Sequence, residues 1–166
     1  MARTNPLRMR WGDPAYLLAL GFGTGLSPKA PGTVASAVAA LIYWAALGSL
    51  SLAIQGAIIG LGFVLGVMAI TRIERESASH DHGSIVWDEF IGVWIALLAA
   101  GPAPLEIITG FALFRLFDIW KPWPVSWADK HVRGGLGVML DDVLAGILSA
   151  ATLLVLNQAG LGKLLT

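Results

Sequence analysis

The chain has 166 residues, 11 basic and 11 acidic side chains and no cysteine, which excludes disulfides, thiolate metal sites and cysteine nucleophiles. It is 56% hydrophobic and 13% charged, where a soluble domain carries roughly 25% charged residues. That balance marks an integral membrane protein, and the length predicts one domain over 1–166 with neither a nucleic-acid partner nor an obligate protein partner indicated.

Arg3, Arg8 and Arg10 open the chain, but the apolar stretch after them is brief and runs into Gly21, Gly23 and Gly25. It is too broken for a signal peptide. The segment from Gly21 to Thr33 is rich in glycine, hydroxyls and proline and contains Lys29. Glycines let backbone amides approach a phosphate, Lys29 adds charge, and Thr33 lies where a helix begins and its free amides favour anions. It is not a Walker loop, because no Gly-Lys-Ser/Thr follows at the required spacing. An interfacial turn between helices would look much the same.

From Gly32 to Ile70 the chain carries no charge, and as one helix it would measure about 58 Å at about 1.5 Å per residue. A bilayer core is roughly 30 Å thick, so two spans are predicted, 33–48 and 51–71, around Gly48-Ser49-Leu50-Ser51. A third, 85–100, ends at Gly101-Pro102-Ala103-Pro104, and a fourth, 105–120, ends at Pro122 and Pro124. The fifth is 138–157. The expected fold is an all-α polytopic membrane bundle of about five spans, with a re-entrant helix as the alternative for the short third or fourth. Gly92, Ala96, Gly110, Ala145, Gly146 and Ser149 suit close helix packing in lipid.

If five spans alternate, every basic residue except Lys163 falls on one side, which the positive-inside tendency makes cytoplasmic. The acids divide the same way. Asp88 and Glu89 open span three, Asp118 closes span four, and Asp141 and Asp142 open span five, so three helices deliver five carboxylates to one face. Only Glu106 approaches the other.

Carboxylates about 4 Å apart repel by about 4 kcal/mol per pair at an effective dielectric of about 20. Oxygen ligands without cysteine suit a hard divalent cation such as Mg²⁺, which binds one or two carboxylates, water and substrate phosphate. Helix capping, or pairing with Arg115, Lys130 or Arg133, is the structural alternative. His80, His82 and His131 are read as solvated loop histidines and Glu76 and Asp81 as ordinary loop acids. Trp87, Trp94, Trp120, Trp123 and Trp127 are read mostly as interfacial anchors.

Four ordered blocks carry a resemblance: Gly23-Thr24-Gly25 with Ser27-Pro28-Lys29-Ala30-Pro31-Gly32-Thr33; Ile85-Val86-Trp87-Asp88-Glu89; Phe114-Arg115 through Asp118 to Lys121-Pro122-Trp123-Pro124; and Gly134-Gly135 through Asp141-Asp142 to Ala145-Gly146. With them the chain resembles the phosphatidylglycerophosphatase A family over most of its length. The resemblance implies a Mg²⁺-dependent phosphatase of the bacterial inner membrane that converts phosphatidylglycerophosphate to phosphatidylglycerol and inorganic phosphate at the cytoplasmic face.

Under that reading some of Asp88, Glu89, Asp118, Asp141 and Asp142 hold Mg²⁺. Lys29, Lys121 and Arg133 offset phosphoryl charge, and Thr24, Ser27 and Thr33 donate hydrogen bonds. Arg115 could bind phosphate, but its place three residues from Asp118 on one helix face favours orienting that acid. Small-residue faces favour Glu89 and Asp142 over Asp88 and Asp141 as the acids aimed into the bundle. Direct water attack or a phospho-enzyme, and one metal or two, stay open. The alternative function is a small transporter or channel using the acids as an ion site.

Overall fold

The computed structural model describes residues 12–77 and 82–160, and the regular structure within them is helical. The helices are α1 (Pro14–Ala19), α2 (Pro31–Ala45), α3 (Leu52–Ser77), α4 (Trp87–Leu97), α5 (Pro104–Trp120), α6 (Val125–His131) and α7 (Gly134–Gln158), with 3₁₀ turns at Gly21–Leu26 and Leu47–Ser49. Proline stands in the first turn of α1, α2 and α5, where its missing N–H has no helical acceptor to lose.

The chain runs between the two ends of the bundle along α2, α3, α4, α5 and α7 in turn. One end is tied by Trp44 Nε1, which donates to Pro102 O at 3.3 Å, and by Asn157 Nδ2, which donates to Glu106 Oε2 at 3.2 Å. At the other end lie Gly32, Glu74, Asp88, Asp118 and Gly134. Three segments, Pro31–Ser49, Leu52–Glu76 and Gly134–Gln158, are long and apolar enough to cross a membrane. The other two predicted spans are shorter. α4 has 11 residues and α5 has 17, or about 16 Å and 25 Å of helix at 1.5 Å per residue, against roughly 30 Å of hydrocarbon.

α4 can be short because it is the buried centre of the bundle, packed by α2, α3, α5 and α7. Phe90, Ile91, Val93, Ala96 and Leu97 are wholly enclosed. A Cβ on Gly146 would stand 2.5 Å from the Gly92 carbonyl oxygen, so α4 and α7 cross with their backbones in contact at these small residues. Trp87 and Trp94 are not interfacial anchors. Both are buried, and their indole N–H groups donate to Gly62 O on α3 at 2.9 Å and to Ala39 O on α2 at 3.0 Å. A mostly apolar ring with one satisfied donor suits such a position. Trp120, Trp123 and Trp127 are exposed.

Two helix boundaries and one loop differ from the sequence reading in ways that bear on the cavity. α3 continues to Ser77 instead of ending at 71, which keeps Glu74 in register with buried Ile70. α7 begins at Gly134 instead of 138, so Asp141 and Asp142 lie two turns inside it. The glycines that read as loop permit the early start: Gly134 adopts φ +71°, and a Cβ on Gly135 would meet Val67 O of α3 at 2.5 Å. The 121–135 loop contains α6, held by buried Val125 and Ala128.

Candidate active site

A cavity of about 490 Å³ opens at the Gly32–Gly134 end. The starts of α2, α4 and α7 meet there, contributing Gly32, Asp88 with Glu89, and Arg133, Gly134 and Gly137, while the ends of α3 and α5 bring Glu74, Asp118 and Lys121. Three helix N-termini without side-chain caps border this one space, and the positive ends of helix dipoles favour anions.

All five carboxylates expected from the sequence line this cavity, as do Lys121 and Arg133. Arg115 stands behind the wall, its Nη1 2.6 Å from Glu89 Oε2 and 2.8 Å from Asp118 Oδ2, so one guanidinium matches two acids from different helices. Ser36 of α2, fully buried, has its Oγ 2.5 Å from Glu89 Oε2 and 2.8 Å from Gly32 O, and its one proton serves either. Lys121 Nζ donates to Asp141 Oδ2 at 2.8 Å and also to Asp129 Oδ1. Burial alone would lower the Lys121 ammonium, but hydrogen bonds and charge from Asp129 and Asp141 outweigh it and hold the group above the ordinary lysine range.

Asp142 Oδ2 is buried with no hydrogen-bond partner among the described residues. A carboxylate oxygen in that state is costly unless something binds it. Among the described residues no three acid or histidine side chains close around a common metal point. A closed all-protein cage is therefore absent from the arrangement, whereas an ion that takes one or two carboxylates and completes its shell with water and phosphate fits. The donors available are carboxylates, the hard oxygen type that suits Mg²⁺.

The N-terminal segment differs from its expected role. Thr24, Ser27, Lys29 and Thr33 do not line the cavity. Thr24 Oγ1 donates to Gly21 O at 2.8 Å and Ser27 Oγ to Lys29 O at 2.9 Å, while the amides of Gly23, Gly25 and Ser27 close local turns. The glycines serve packing, since a Cβ on Gly21 would stand 2.8 Å from the Phe90 ring and one on Gly25 would enter the Ser84 backbone. Lys29 and Thr33 are exposed, near Gly32, which does reach the cavity.

The small-face argument separates the acid pairs less than expected. Asp142 and Asp141 are 4% and 8% exposed, and all four paired acids face the same space. The cavity collects side chains about 100° apart both at the start of α4 and two turns into α7.

Sequence reasoning missed Glu74, Asp129 and Ser36. Glu74 lay beyond the predicted end of span two, and its signal was the position four residues after Ile70 on the same helical face. Asp129 needed α6 to be recognised as a helix. Ser36 carried no signal of its own in an apolar run.

His82 is buried instead of solvated. His131 is exposed and stacks on Trp127, with its Nδ1 2.8 Å from Trp127 O. Glu76 belongs to α3, where it pairs with Arg72 at 2.9 Å. His80, Asp81, Arg3, Arg8, Arg10 and Lys163 fall outside the described residues.

Three helical segments long and apolar enough for a bilayer, with an acid-lined and cation-bearing cavity at one end of the bundle, mark the class of helical membrane proteins with a polar site at the end of their apolar helices. The sequence model of phosphatidylglycerophosphatase A matches residues 17–157. A phosphatidylglycerophosphatase A of Escherichia coli is 44% identical over 147 residues, covering 88% of this chain and 85% of the relative. One of Haemophilus influenzae is 42% identical over 149 residues, covering 89% and 91%. The chain belongs to the phosphatidylglycerophosphatase A family. No solved structure matches it.

Proposed function

We propose that the chain hydrolyses phosphatidylglycerophosphate to phosphatidylglycerol and inorganic phosphate with Mg²⁺, at the cytoplasmic face of a bacterial inner membrane that it crosses five times. The observation that carries this reading is the charge of the cavity. Seven carboxylates line it, from Glu74, Asp88, Glu89, Asp118, Asp129, Asp141 and Asp142, against Lys121 and Arg133. A phosphate dianion would be repelled by about 4 kcal/mol per unit charge pair at ~4 Å and a dielectric of ~20. A divalent cation reverses the sign of that interaction.

Asp142, whose buried oxygen has no partner among the described residues, and Asp88, which lines the same cavity, are assigned to the cation. When bound, Mg²⁺ would clamp the phosphate and lower the pKa of a bound water. Lys121 and Arg133 bind phosphoryl oxygens, aided by free amides at the start of α7. Asp118, aimed by Arg115, accepts the proton of the attacking water. As the water oxygen bonds to phosphorus, the bond from phosphorus to the glycerol oxygen breaks, and that oxygen keeps the electron pair and takes up a proton from solvent, to which Asp118 later returns the one it accepted. Lys29 and Thr33 lie exposed outside the cavity lining, near Gly32, and from there Lys29 draws the anionic headgroup toward Gly32.

The orientation is supported by Arg72, Arg75, Arg115, Lys121, Lys130 and Arg133, all near the cavity end. α4 and α5 cross with help from the turn at 98–103, whose Ala99 and Pro102 carbonyls reach Asn157 and Trp44. An ion path through the bilayer would need polar groups along its length, and the seven cavity acids instead gather at one end.

The test is phosphate release from phosphatidylglycerophosphate by the purified chain with and without Mg²⁺. Release that needs Mg²⁺ is expected, and no release under either condition would defeat the reading. The chain lacks native cysteine, so Ser49→Cys and Lys130→Cys report topology directly. Impermeant thiol reagent should reach the first from the periplasm and the second from the cytoplasm.

A further inference from the structure

We propose that Asp129 tunes the affinity of the site for phosphate by occupying Lys121 in competition with it. The inference rests on the phosphatase reading and concerns a residue of α6, the helix packed on α7, that lines the cavity.

Lys121 follows α5 with φ +48°, and its backbone N–H closes the helix on Phe117 O at 2.9 Å, so the root of the side chain is fixed. Its ammonium bridges Asp141 on α7 and Asp129 on α6. The two acids are unequal. The Asp141 side chain is 11% exposed and the Asp129 side chain 37%. A phosphoryl oxygen that approaches Lys121 can replace Asp129 at lower cost, because a displaced rim carboxylate regains water whereas a buried one does not.

The position of α6 keeps Asp129 in place. Val125 and Ala128 are fully buried, and α6 packs on α7, so Asp129 is carried by an anchored turn at the mouth. Both Asp129 and Lys121 line the cavity. A lysine has three donors, and two of these are directed at carboxylates before any phosphate arrives. Asp129 therefore weakens binding of every phosphate that uses Lys121, the product included, and it reclaims the ammonium as inorganic phosphate leaves. Acting through Lys121, it is a positioning residue.

Inorganic phosphate is the probe, measured as an inhibitor of lipid phosphomonoester hydrolysis by the full chain in detergent micelles with Mg²⁺. Asp129→Asn and Asp129→Ala should each lower the phosphate inhibition constant by about threefold, the scale of a partly exposed ion pair, with KM moving in the same direction. On a Lys121→Ala background the same substitutions should change neither. Unchanged or weaker phosphate inhibition in both variants overturns the inference. So does an equal gain in the absence of Lys121, which would make Asp129 a general repulsive charge. Failure of the unaltered chain to release phosphate defeats the phosphatase reading and this inference together, whereas an active chain with an unmoved constant defeats the inference alone.

Discussion

The two ends of the bundle treat buried polarity differently. At the far end Tyr43 Oη donates to Gln55 Oε1 at 2.8 Å, Gln55 Nε2 donates to Leu50 O at 2.8 Å, and Glu106 accepts from Gly101 N at 2.5 Å and from Asn157. Each of these groups ends on a neighbour. At the cavity end Arg115 and Lys121 match four acids, yet Asp142 keeps a buried oxygen with no partner among the described residues. Polarity that closes on itself ties helices together, while polarity left in excess is destabilising unless a ligand completes it. The contrast marks the cavity end as the candidate for chemistry without reference to any motif.

The largest expected effect breaks the contrast at its sharpest point. Asp142→Asn and Asp88→Asn should each reduce phosphate release by about 100-fold or more, at or beyond the upper end of what outer-shell changes cost a metal site. Chelation by EDTA should abolish release in the unaltered chain and added Mg²⁺ should restore it. Activity after exhaustive chelation would remove the metal from the mechanism.

Arg115→Ala comes next, because it leaves Glu89 and Asp118 without their shared cation in a site where Glu89 is 12% and Arg115 16% exposed. A loss of about 3 kcal/mol of stability is expected for a largely buried pair broken on one side, read as a lower thermal midpoint in detergent, together with reduced turnover. Arg115→Lys should recover part of the stability, since a point charge cannot reproduce the contact to both acids.

Glu106→Gln sharpens the comparison from the other end. It should cost about 1 kcal/mol through weakened hydrogen bonds and leave turnover within about twofold, because no step of the proposed hydrolysis involves the far end. A large loss of turnover with intact folding would contradict the division of the molecule drawn here. The smallest effect is expected for Lys29→Ala: a rise in KM of about twofold to threefold, the scale of an exposed charge interaction, with the Mg²⁺ requirement unchanged. A large fall in kcat would return Lys29 to the phosphate itself.

Much was legible in the chain alone because a membrane imposes strict terms on it. An uncharged run from Gly32 to Ile70 has to be apolar helix turned back on itself, and charges at Asp88, Glu89, Arg115, Asp118, Asp141 and Asp142 cannot occur in such surroundings by default. The small residues at Gly92 and Gly146 likewise foretold a close crossing. The membrane class, the five carboxylates and their common end follow from these facts.

Only the tertiary structure decided how the charges are shared. Arg115 lies three residues from Asp118, a spacing visible in one helix, but its bond to Glu89 joins α5 to α4 and has no local signal. Trp87 and Trp94 read as interfacial until α2 and α3 supplied carbonyls for their indoles. The glycines from Gly21 to Gly25 read as a phosphate cradle until the chain at Ser84 to Phe90 was found packed against them. Asp129 and Glu74 entered the cavity because α6 folds over α7 and α3 outlasts its apolar run. Composition and periodicity report what a segment can tolerate, whereas the partner that satisfies a polar group is chosen by elements distant in sequence.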